Sequence, residues 1–333
     1  MAKKVFITGA TGYVGEQLAR KLANQGYITH LLVRWKQKAQ QIFKDNAHFK
    51  IFEGDILEKE KVRQAMKDCQ EVYHLAAYAK VWDKDPNAFV KMNIEGTKNV
   101  LDNCLSQKIE KVVITSTAGV LGPSVDGKMV DENTQSAIPY STEYERTKAI
   151  AEEEAKKYLE KGLAIVTLNP TRIYGAGQRS ESNAVTMLLE KYWQGKWRIM
   201  PGDGKRVGNY AYINDVVEGH LAAMQKGRTG ERYILGGENV SYQELFDLFG
   251  EVTQKKLTLF KMPIAFMMSF AHLQMLKTQL TGKPPLITPN FVRKYLYDWK
   301  VSTQKAENEL GLKITPLKIG LEKTLEWLKQ EKK

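Results

Sequence analysis

Short apolar runs alternate with longer amphipathic stretches along the first half of the chain. The runs are rich in β-branched side chains, which is typical of strands buried on both faces of a sheet. The predicted strands cover residues 5–7, 28–33, 49–52, 71–75, 112–116 and 163–168, and the predicted helices cover 16–24, 58–68, 87–106 and 143–158. The alternation predicts an α/β fold of the Rossmann type, with a doubly wound parallel sheet.

A glycine-rich turn lies between the first predicted strand and the first predicted helix, at residues 8–15. Gly9, Gly12 and Gly15 would allow a tight turn, a close approach to a pyrophosphate, and close packing of the helix on its strand. The first N–H groups of that helix would then face the anion. The pattern predicts a dinucleotide-binding site, and an ordinary tight turn is the alternative.

A cationic segment follows the second predicted strand. Dinucleotide-binding folds that take NAD usually place Asp or Glu about 20 residues beyond the glycine turn, where the carboxylate binds the ribose hydroxyls. This chain has Arg34 there, followed by Lys36 and Lys38. Because a guanidinium can bind a 2′-phosphate and stack on adenine, the sequence favours NADP over NAD. The alternative is that these are solvated loop charges.

Small and polar residues stand where the later strands end. Asp55 follows the third strand, and its carboxylate could accept a hydrogen bond from adenine or cap the following helix. Ala76 and Ala77 follow the fourth strand and leave room for a cofactor, whereas His74 is interpreted as a packed side chain. Since ligands of such sheets bind beyond the carboxyl ends of the strands, we expect these positions and Thr117 to converge on one crevice.

Tyr144 and Lys148 are spaced i, i+4 on a predicted helix and share one of its faces. A phenol, whose ordinary pKa is about 10, needs a stabilised phenolate to act as an acid or base near neutrality. An adjacent ammonium can supply that stabilisation. The spacing is also common on solvated helix surfaces, so it gains weight only from the glycine turn that precedes it.

Composition narrows the class of protein. The 333 residues are 43% hydrophobic, and the two cysteines, Cys69 and Cys104, have neither disulfide nor zinc-site spacing, so no metal is predicted. No signal peptide or spanning segment is evident, and we expect a soluble, cytoplasmic protein. The net charge of +12 is mostly interleaved with acidic residues, which argues against a nucleic-acid partner.

Residues 262–276 are apolar and rich in methionine. A helix that packs in the core or in a dimer interface is one interpretation. A lid over the substrate or a peripheral contact with a membrane surface is the other, and the segment is too short to span a bilayer.

Together these motifs resemble the extended short-chain dehydrogenase/reductase superfamily, also called the NAD-dependent epimerase/dehydratase family. The resemblance rests on segments 8–15, 54–56, 74–77, 115–119, 144–148 and 169–175, together with Asn93. Segments 209–216 and 232–239 are similar to the branch of dihydroflavonol-reductase-like and hopanoid-associated sugar-epimerase-like proteins. A homodimer is common in this family.

The resemblance implies roles for individual residues. Tyr144 would be the catalytic acid or base, Lys148 would hold the nicotinamide ribose, Thr117 would orient the substrate oxygen, and Asn93 would steady the active site. Strand alternation favours Thr117 over Ser116, which should point to the other face. The expected cofactor contacts are Gly9, Thr11, Gly12, Tyr13, Val14, Gly15, Arg34, Lys38, Asp55, Ile56, Leu75, Ala76, Ala77, Thr115, Tyr144, Lys148, Pro170 and Ile173.

We expect a dinucleotide-binding domain over residues 1–175, to which segments around 205–240 return, and a smaller, mostly helical substrate lobe over 176–333. The predicted activity is hydride transfer between NADP(H) and a ketone or secondary alcohol of a bulky, apolar small molecule. The alternative is a nucleotide-sugar epimerase or dehydratase, in which Lys205, Arg206 and Arg293 would bind a diphosphate. A redox sensor that only binds dinucleotide is disfavoured by the Thr117, Tyr144 and Lys148 set.

Overall fold

The computed structural model describes residues 2–44 and 46–331. Its strands are β1 (Lys4–Thr8), β2 (Ile28–Val33), β3 (Phe49–Glu53), β4 (Glu71–His74), β5 (Lys111–Thr115), β6 (Ile165–Pro170), β7 (Arg172–Tyr174), β8 (Ile199–Pro201), β9 (Val207–Tyr212), β10 (Arg232–Leu235), β11 (Glu238–Ser241) and β12 (Phe260–Met262). Its α-helices are α1 (Tyr13–Asn24), α2 (Lys36–Phe43), α3 (Lys59–Met66), α4 (Asn87–Val90), α5 (Gly96–Ser106), α6 (Glu143–Leu159), α7 (Ala184–Trp193), α8 (Ile213–Lys226), α9 (Tyr242–Thr253), α10 (Ile264–Thr281), α11 (Pro289–Arg293) and α12 (Leu317–Gln330).

Seven strands form the main sheet, in the order β10-β6-β5-β4-β1-β2-β3, and every neighbouring pair is parallel. The strand order reverses between β1 and β4, so the loops after these two strands part and open a crevice at the carboxyl edge. The predicted Rossmann-type fold is confirmed. The six predicted strands of the sheet all form, and β10 is added as a seventh.

Both faces of the main sheet are buried. Val5 and Ile7 of β1 point to one face and join a large apolar cluster with Leu18 and Leu22 of α1. Phe6, between them, points to the opposite face and joins a second cluster that contains Val100 of α5. This period of two explains why the strands are apolar at consecutive positions: each side chain has a helix layer to pack against.

The second lobe is built from smaller pieces. Strands β11, β9 and β7 form a three-stranded sheet, and β12 pairs with β8. The chain also returns to the first lobe, because β10 pairs with β6 in the main sheet and α8 packs against α1. The division of the chain near residue 175 stays a prediction.

The predicted helix over 87–106 is not a regular α-helix. A π-helical turn, Lys91–Glu95, lies between α4 and α5, and it contains Asn93. Such one-turn insertions occur mostly where a helix must present a side chain in a position that regular geometry does not allow. Lys36 and Lys38 belong to α2 and not to a loop, but both side chains are exposed, so the alternative of solvated charges stays open.

Candidate active site

A cavity of about 450 Å³ opens at the carboxyl ends of β1, β2, β4, β5 and β6. The glycine turn forms its floor. Gly9 has a positive φ of 75°, and a Cβ at this position would lie 2.7 Å from the Ala76 nitrogen. A Cβ at Gly15 would lie 2.2 Å from the Gly9 carbonyl oxygen. Any side chain at either position would push the turn away from β4 or the helix away from the turn.

The N-terminus of α1 points into this cavity. Gly12 is the N-cap residue and offers no side-chain hydrogen bond, so the first N–H groups of the helix have no intrahelical or side-chain acceptor. The Tyr13 side chain has its own partner, since its hydroxyl donates to the Gly175 carbonyl at 3.0 Å. A glycine cradle in front of unbonded N–H groups fits the pyrophosphate of a dinucleotide.

The far end of the cavity, beyond β2, is cationic and aromatic. Arg34 and Lys38 line it, and Arg34 Cζ lies 4.8 Å from the centroid of the Trp35 ring. Trp35 is 63% exposed and offers a flat apolar surface beside the guanidinium. Asp55 also lines the cavity, but it is not the N-cap of α3, which is Glu58; instead its Oδ1 accepts from the Leu57 N–H at 3.0 Å.

The opposite end carries hydroxyl groups. Tyr144 lines the cavity from the first turn of α6, which begins with a capping box between Thr142 and Glu145. Thr117 lines it from the end of β5, and its Oγ1 accepts from the Gly119 N–H at 3.2 Å. Ser116 borders the cavity as well, but its Oγ is buried, so the choice of Thr117 over Ser116 stays a prediction.

The hydroxyl of Ser116 has no partner in the part of the chain that the structure describes, and its Oγ is buried. A buried hydroxyl without a partner is costly unless a ligand or water completes it. Thr117 keeps its expected place at the cavity wall.

Lys148 lies one turn behind Tyr144, and only 1% of its surface is exposed. Burial lowers the pKa of Lys148 to about 8, although the nearby Glu152 carboxylate opposes that shift. Burial also raises the pKa of Tyr144, and the Glu145 carboxylate adds to the effect. Both influences on the Tyr144 pKa therefore raise it, and the lowering by the Lys148 ammonium that the sequence predicted is not among them.

Asn93 stands behind the cavity wall and does not line it. Its Oδ1 accepts from the Tyr78 N–H at 2.7 Å, and its Nδ2 donates to the Thr147 hydroxyl at 2.9 Å. The side chain therefore connects the loop after β4 to the residue that precedes Lys148. In this position Asn93 holds the backbone around the site in place and does not touch the cavity itself.

Two buried histidines fix the strand ends. The Thr97 hydroxyl donates to the Asn93 carbonyl at 2.7 Å, so its oxygen accepts from His74 Nε2 at 2.9 Å. His74 Nδ1 then accepts from Thr8 Oγ1 at 2.7 Å. His74 is a packed structural residue, as expected.

His220 holds Thr115 in the same way. Its Nδ1 donates to the Val216 carbonyl at 2.7 Å, so Nε2 accepts from the Thr115 hydroxyl at 2.8 Å. Thr115 therefore contributes surface to the cavity, while its hydroxyl is already engaged.

With the exception of Lys148 and Asn93, every site residue expected from the sequence lines this one cavity. Other lining residues were not expected: Leu32, Val33, Trp35, Gly54, Ala79, Met92, Ser116, Thr171, Glu181 and Ser182. Trp35 could have been found, because it directly follows Arg34. Glu181 could not, because it comes from the second lobe, where its Oε2 accepts from the Val81 N–H at 2.8 Å.

The cations considered for a nucleotide sugar lie in a different place. Lys205 and Arg206 border a separate cavity together with Asp203 and Asp298. Arg293 donates to the Asn290 side chain at 3.1 Å. None of the three lines the cofactor cavity.

Arg172 is a cation that the sequence analysis did not single out. Its Cζ lies 5.5 Å from the Tyr242 ring centroid and 5.8 Å from that of Tyr210. Gly208 makes this placement possible, since a Cβ there would lie 1.7 Å from Arg172 Nη1. The guanidinium is held between aromatic rings of the second lobe.

A fold and crevice of this kind define the class of nicotinamide-dependent short-chain dehydrogenases and their relatives. Residues 5–236 match the NAD dependent epimerase/dehydratase family, and the chain belongs to this family. Its sequence relatives place it in the extended short-chain dehydrogenase/reductase branch, and it is an NAD(P)-dependent enzyme that acts on CH–OH groups.

Three relatives illustrate the branch. A Synechocystis protein provisionally named dihydroflavonol 4-reductase is 30% identical over 332 residues, which cover 98% of this chain and 95% of that protein. Sterol demethylase protein B of Methylococcus capsulatus is 26% identical, with coverage of 97% and 98%. Sterol-4-alpha-carboxylate 3-dehydrogenase, decarboxylating, of Bos taurus is 27% identical over 67% of this chain and 61% of that protein.

Solved structures agree in fold. UDP-glucose 4-epimerase from Thermotoga maritima superposes with a TM-score of 0.81 and 23% identity, covering 99% of this chain and all of that one. UDP-glucuronic acid 4-epimerase from Bacillus cereus, solved with UDP-glucuronic acid and NAD, gives a TM-score of 0.79 and 26% identity, with coverage of 98% and 99%.

Proposed function

We propose that this protein transfers hydride between NADP(H) and a ketone or secondary alcohol of a bulky, apolar, ring-bearing molecule. One observation carries the proposal: a single cavity has the hydroxyls of Thr117 and Tyr144 at one end and the cations Arg34 and Lys38 at the other. The glycine turn lies between the two ends, where a pyrophosphate would connect nicotinamide to adenosine.

The chain's own residues supply the proton chemistry. A nicotinamide held in this cavity would supply or accept the hydride. Tyr144 would donate its hydroxyl proton to the carbonyl oxygen during reduction and take it back during oxidation. Thr117 would hold that oxygen by a hydrogen bond, and Lys148 would stabilise the resulting phenolate. Pro170 and Ile173 would border the nicotinamide.

The preference for NADP rests on the charges at the adenosine end. Arg34 and Lys38 are both in the cavity wall, directly after β2. A guanidinium can bind a 2′-phosphate through two parallel hydrogen bonds. NAD has no 2′-phosphate and cannot accept these hydrogen bonds.

The test is the affinity of Arg34→Ala for each cofactor, measured by fluorescence titration. We expect NADPH binding to weaken by about tenfold or more, since charge-assisted hydrogen bonds contribute about 1.5–3 kcal/mol, while NADH binding changes little. Lys36→Ala is the matched control, because Lys36 does not line the cavity. Equal losses for NADPH and NADH in Arg34→Ala would contradict the phosphate role.

The substrate class rests on the named relatives. Two of them carry sterol names, and they match this chain over 97% and 67% of its length. A steroid-type ketone or alcohol is therefore the first compound class to test, by the consumption of NADPH or the formation of NADPH from NADP. A screen that gives turnover with sugar nucleotides and none with ring-bearing ketones would overturn the substrate class.

A nucleotide-sugar epimerase is the second candidate, because the solved structures that superpose on this chain include UDP-sugar 4-epimerases. Such an enzyme would convert UDP-glucose to its 4-epimer without net change in cofactor. We expect no such conversion, since Lys205, Arg206 and Arg293 lie outside the cofactor cavity. Chromatography of UDP-glucose after incubation decides between the two.

A further inference from the structure

The helix α10 leaves an apolar face uncovered. Its 18 residues make it about 27 Å long, and only Ala271 and Thr278 are buried. On the opposite side, exposed apolar side chains follow one another at helical spacing: Phe266, Phe270, Leu273, Leu276 and Leu280, hereafter the outer face of α10. Phe266 and Leu273 are each 62% exposed, and Leu280 is 87% exposed.

The segments that flank this helix are apolar at the surface too. Phe260 of β12 precedes it, and Leu286 follows it, and both are strongly exposed. Scattered surface apolar residues are ordinary, but contiguous ones mark an interaction site. The other side of α10 packs on α11, so these exposed side chains face away from the rest of the chain.

Charge is distributed very unevenly around this helix. Residues 252–297 contain seven Lys and Arg residues and not one Asp or Glu, so this segment carries seven of the twelve net positive charges of the chain. The basic residues are Lys255, Lys256, Lys261, Lys277, Lys283, Arg293 and Lys294.

Most of these cations have no acidic partner. Lys294 forms an ion pair with Glu145. Within the part of the chain that the structure describes, no carboxylate forms an ion pair with Lys261, Lys277 or Lys283. Lys277 lies on the same side as the outer face of α10, where its long side chain can keep its apolar part among leucines and extend its ammonium past them.

We propose that the outer face of α10 docks on the surface of an anionic lipid bilayer. Apolar side chains would enter the boundary between headgroups and acyl chains, and the surrounding lysines would contact the negative headgroups. None of the described helices meets the length and hydropathy needed to cross a membrane. In the proposed contact, α10 lies on the surface of the bilayer. Binding of this face to a membrane does not depend on which substrate the protein uses.

Charge decides against a second copy of this chain as the occupant. Two outer faces brought together would also bring together two sets of lysines that are unpaired within the described part of the chain, among them Lys261, Lys277 and Lys283. Like charges across an interface are unfavourable, whereas an anionic lipid surface attracts each lysine near it by about 1 kcal/mol. An uncharged partner protein would leave the lysines without a role.

The test is flotation of the full chain with vesicles, one set made of phosphatidylcholine and one that also contains roughly one third phosphatidylglycerol. We expect the protein to float with the anionic vesicles and to remain largely unbound with the neutral ones. Combined Phe270→Ser, Leu273→Ser and Leu280→Ser should lower the bound fraction at least about tenfold, because most of the insertion surface is lost.

A second variant tests the charges, with Lys277→Glu and Lys283→Glu combined. We expect it to lose the preference for anionic vesicles, and added salt should weaken the wild type in the same way. The matched controls are Leu57→Ser with Ile319→Ser, and Lys67→Glu with Lys318→Glu, which change exposed residues elsewhere. Both controls should float like the wild type.

Two results would overturn the proposal. In the first, the wild type binds neutral and anionic vesicles equally, or neither, at low salt. In the second, the triple serine variant floats like the wild type. If light scattering also shows a dimer for the wild type and a monomer for this variant, the face is assigned to a second copy. The thermal unfolding of each variant shows that it is folded, and no loss is expected, since all the changed side chains are exposed.

Discussion

The cofactor crevice and the outer face of α10 both depart from the usual distribution of side chains. The crevice has a buried charged side chain beside it, and the outer face has exposed apolar side chains. Behind the crevice, Lys148 is only 1% exposed, although lysine is rarely buried. On the outer face, Leu280 is 87% exposed, although leucine is usually inside. A buried charge and an exposed apolar face are both unfavourable in water, and both therefore point to function.

The comparison teaches how to separate the two kinds of functional region. Burial of Lys148 is maintained by the whole first lobe around α6, so the site is formed before any ligand arrives. The outer face of α10 depends on nothing but the helix itself. Substitutions in the crevice should therefore change catalysis and stability together, whereas substitutions on the outer face should change neither.

Tyr144→Phe should have the largest effect. The substitution removes the hydroxyl that we propose as the proton donor. Because general acid catalysis contributes about 10²–10⁴-fold, turnover should fall by a factor in that range. The NADPH dissociation constant should change by less than about twofold, since the ring still fills the wall and no hydrogen bond to the pyrophosphate is lost. Near wild-type turnover would assign the proton to another group.

Lys148→Met should lower activity and raise stability. Met removes a charge that is unfavourable when buried. The pKa of Lys148 falls from 10.5 to about 8, and each pKa unit corresponds to about 1.4 kcal/mol, so the variant should be more stable by up to about 3 kcal/mol at neutral pH. The free energy of unfolding in urea measures this difference. The folded protein releases the Lys148 proton at a pKa of about 8, against 10.5 for the ordinary side chain. As the pH rises from about 8 to 10.5, the free energy of unfolding of the wild type therefore increases relative to that of the variant. Above that range the difference caused by the Lys148 charge disappears.

Lys157→Met, on the exposed side of the same helix, is the control for that measurement. Lys157 pairs with Glu154 at 2.6 Å at the surface, and such pairs contribute about 0–1 kcal/mol. A stability change in Lys157→Met as large as in Lys148→Met would show that burial of the charge is not the cause.

The pH dependence of ketone reduction should reveal Lys148 in the wild type. In the proposed mechanism reduction needs the ammonium protonated, and burial lowers the pKa of Lys148 to about 8. Above that pH, kcat/KM should fall by about tenfold per pH unit as the charged fraction declines. Lys148→Arg should keep its charge and move the decline to higher pH. A profile that is flat to pH 10 would mean that the charge of Lys148 is not required.

The smallest effect is expected on the outer face of α10. Leu280→Ser should change the free energy of unfolding by less than about 0.5 kcal/mol, because an exposed side chain loses little on substitution. Leu18→Ala, in the core under β1, should cost about 2–5 kcal/mol and serves as the comparison. A large loss in Leu280→Ser would mean that this face is covered in solution.

Local sequence patterns were enough to predict the strands of the main sheet, the glycine turn and the spacing of Tyr144 and Lys148. The apolar runs identified all six of its first strands, because each strand needs apolar side chains on both faces. The glycine turn marked the phosphate cradle, because backbone at Gly9 and Gly15 has no room for a Cβ. The i, i+4 spacing of Tyr144 and Lys148 followed from helix geometry alone.

Only the tertiary structure decided which elements meet. Glu181 reaches the cavity from a segment distant along the chain, and a π-helical turn sets Asn93 behind the cavity wall. The residues of α10 are apolar around most of the helix, so their order along the chain cannot say which side packs. Burial of one side depends on α11 and neighbouring segments, and it was that packing between distant parts of the chain that left the other side bare.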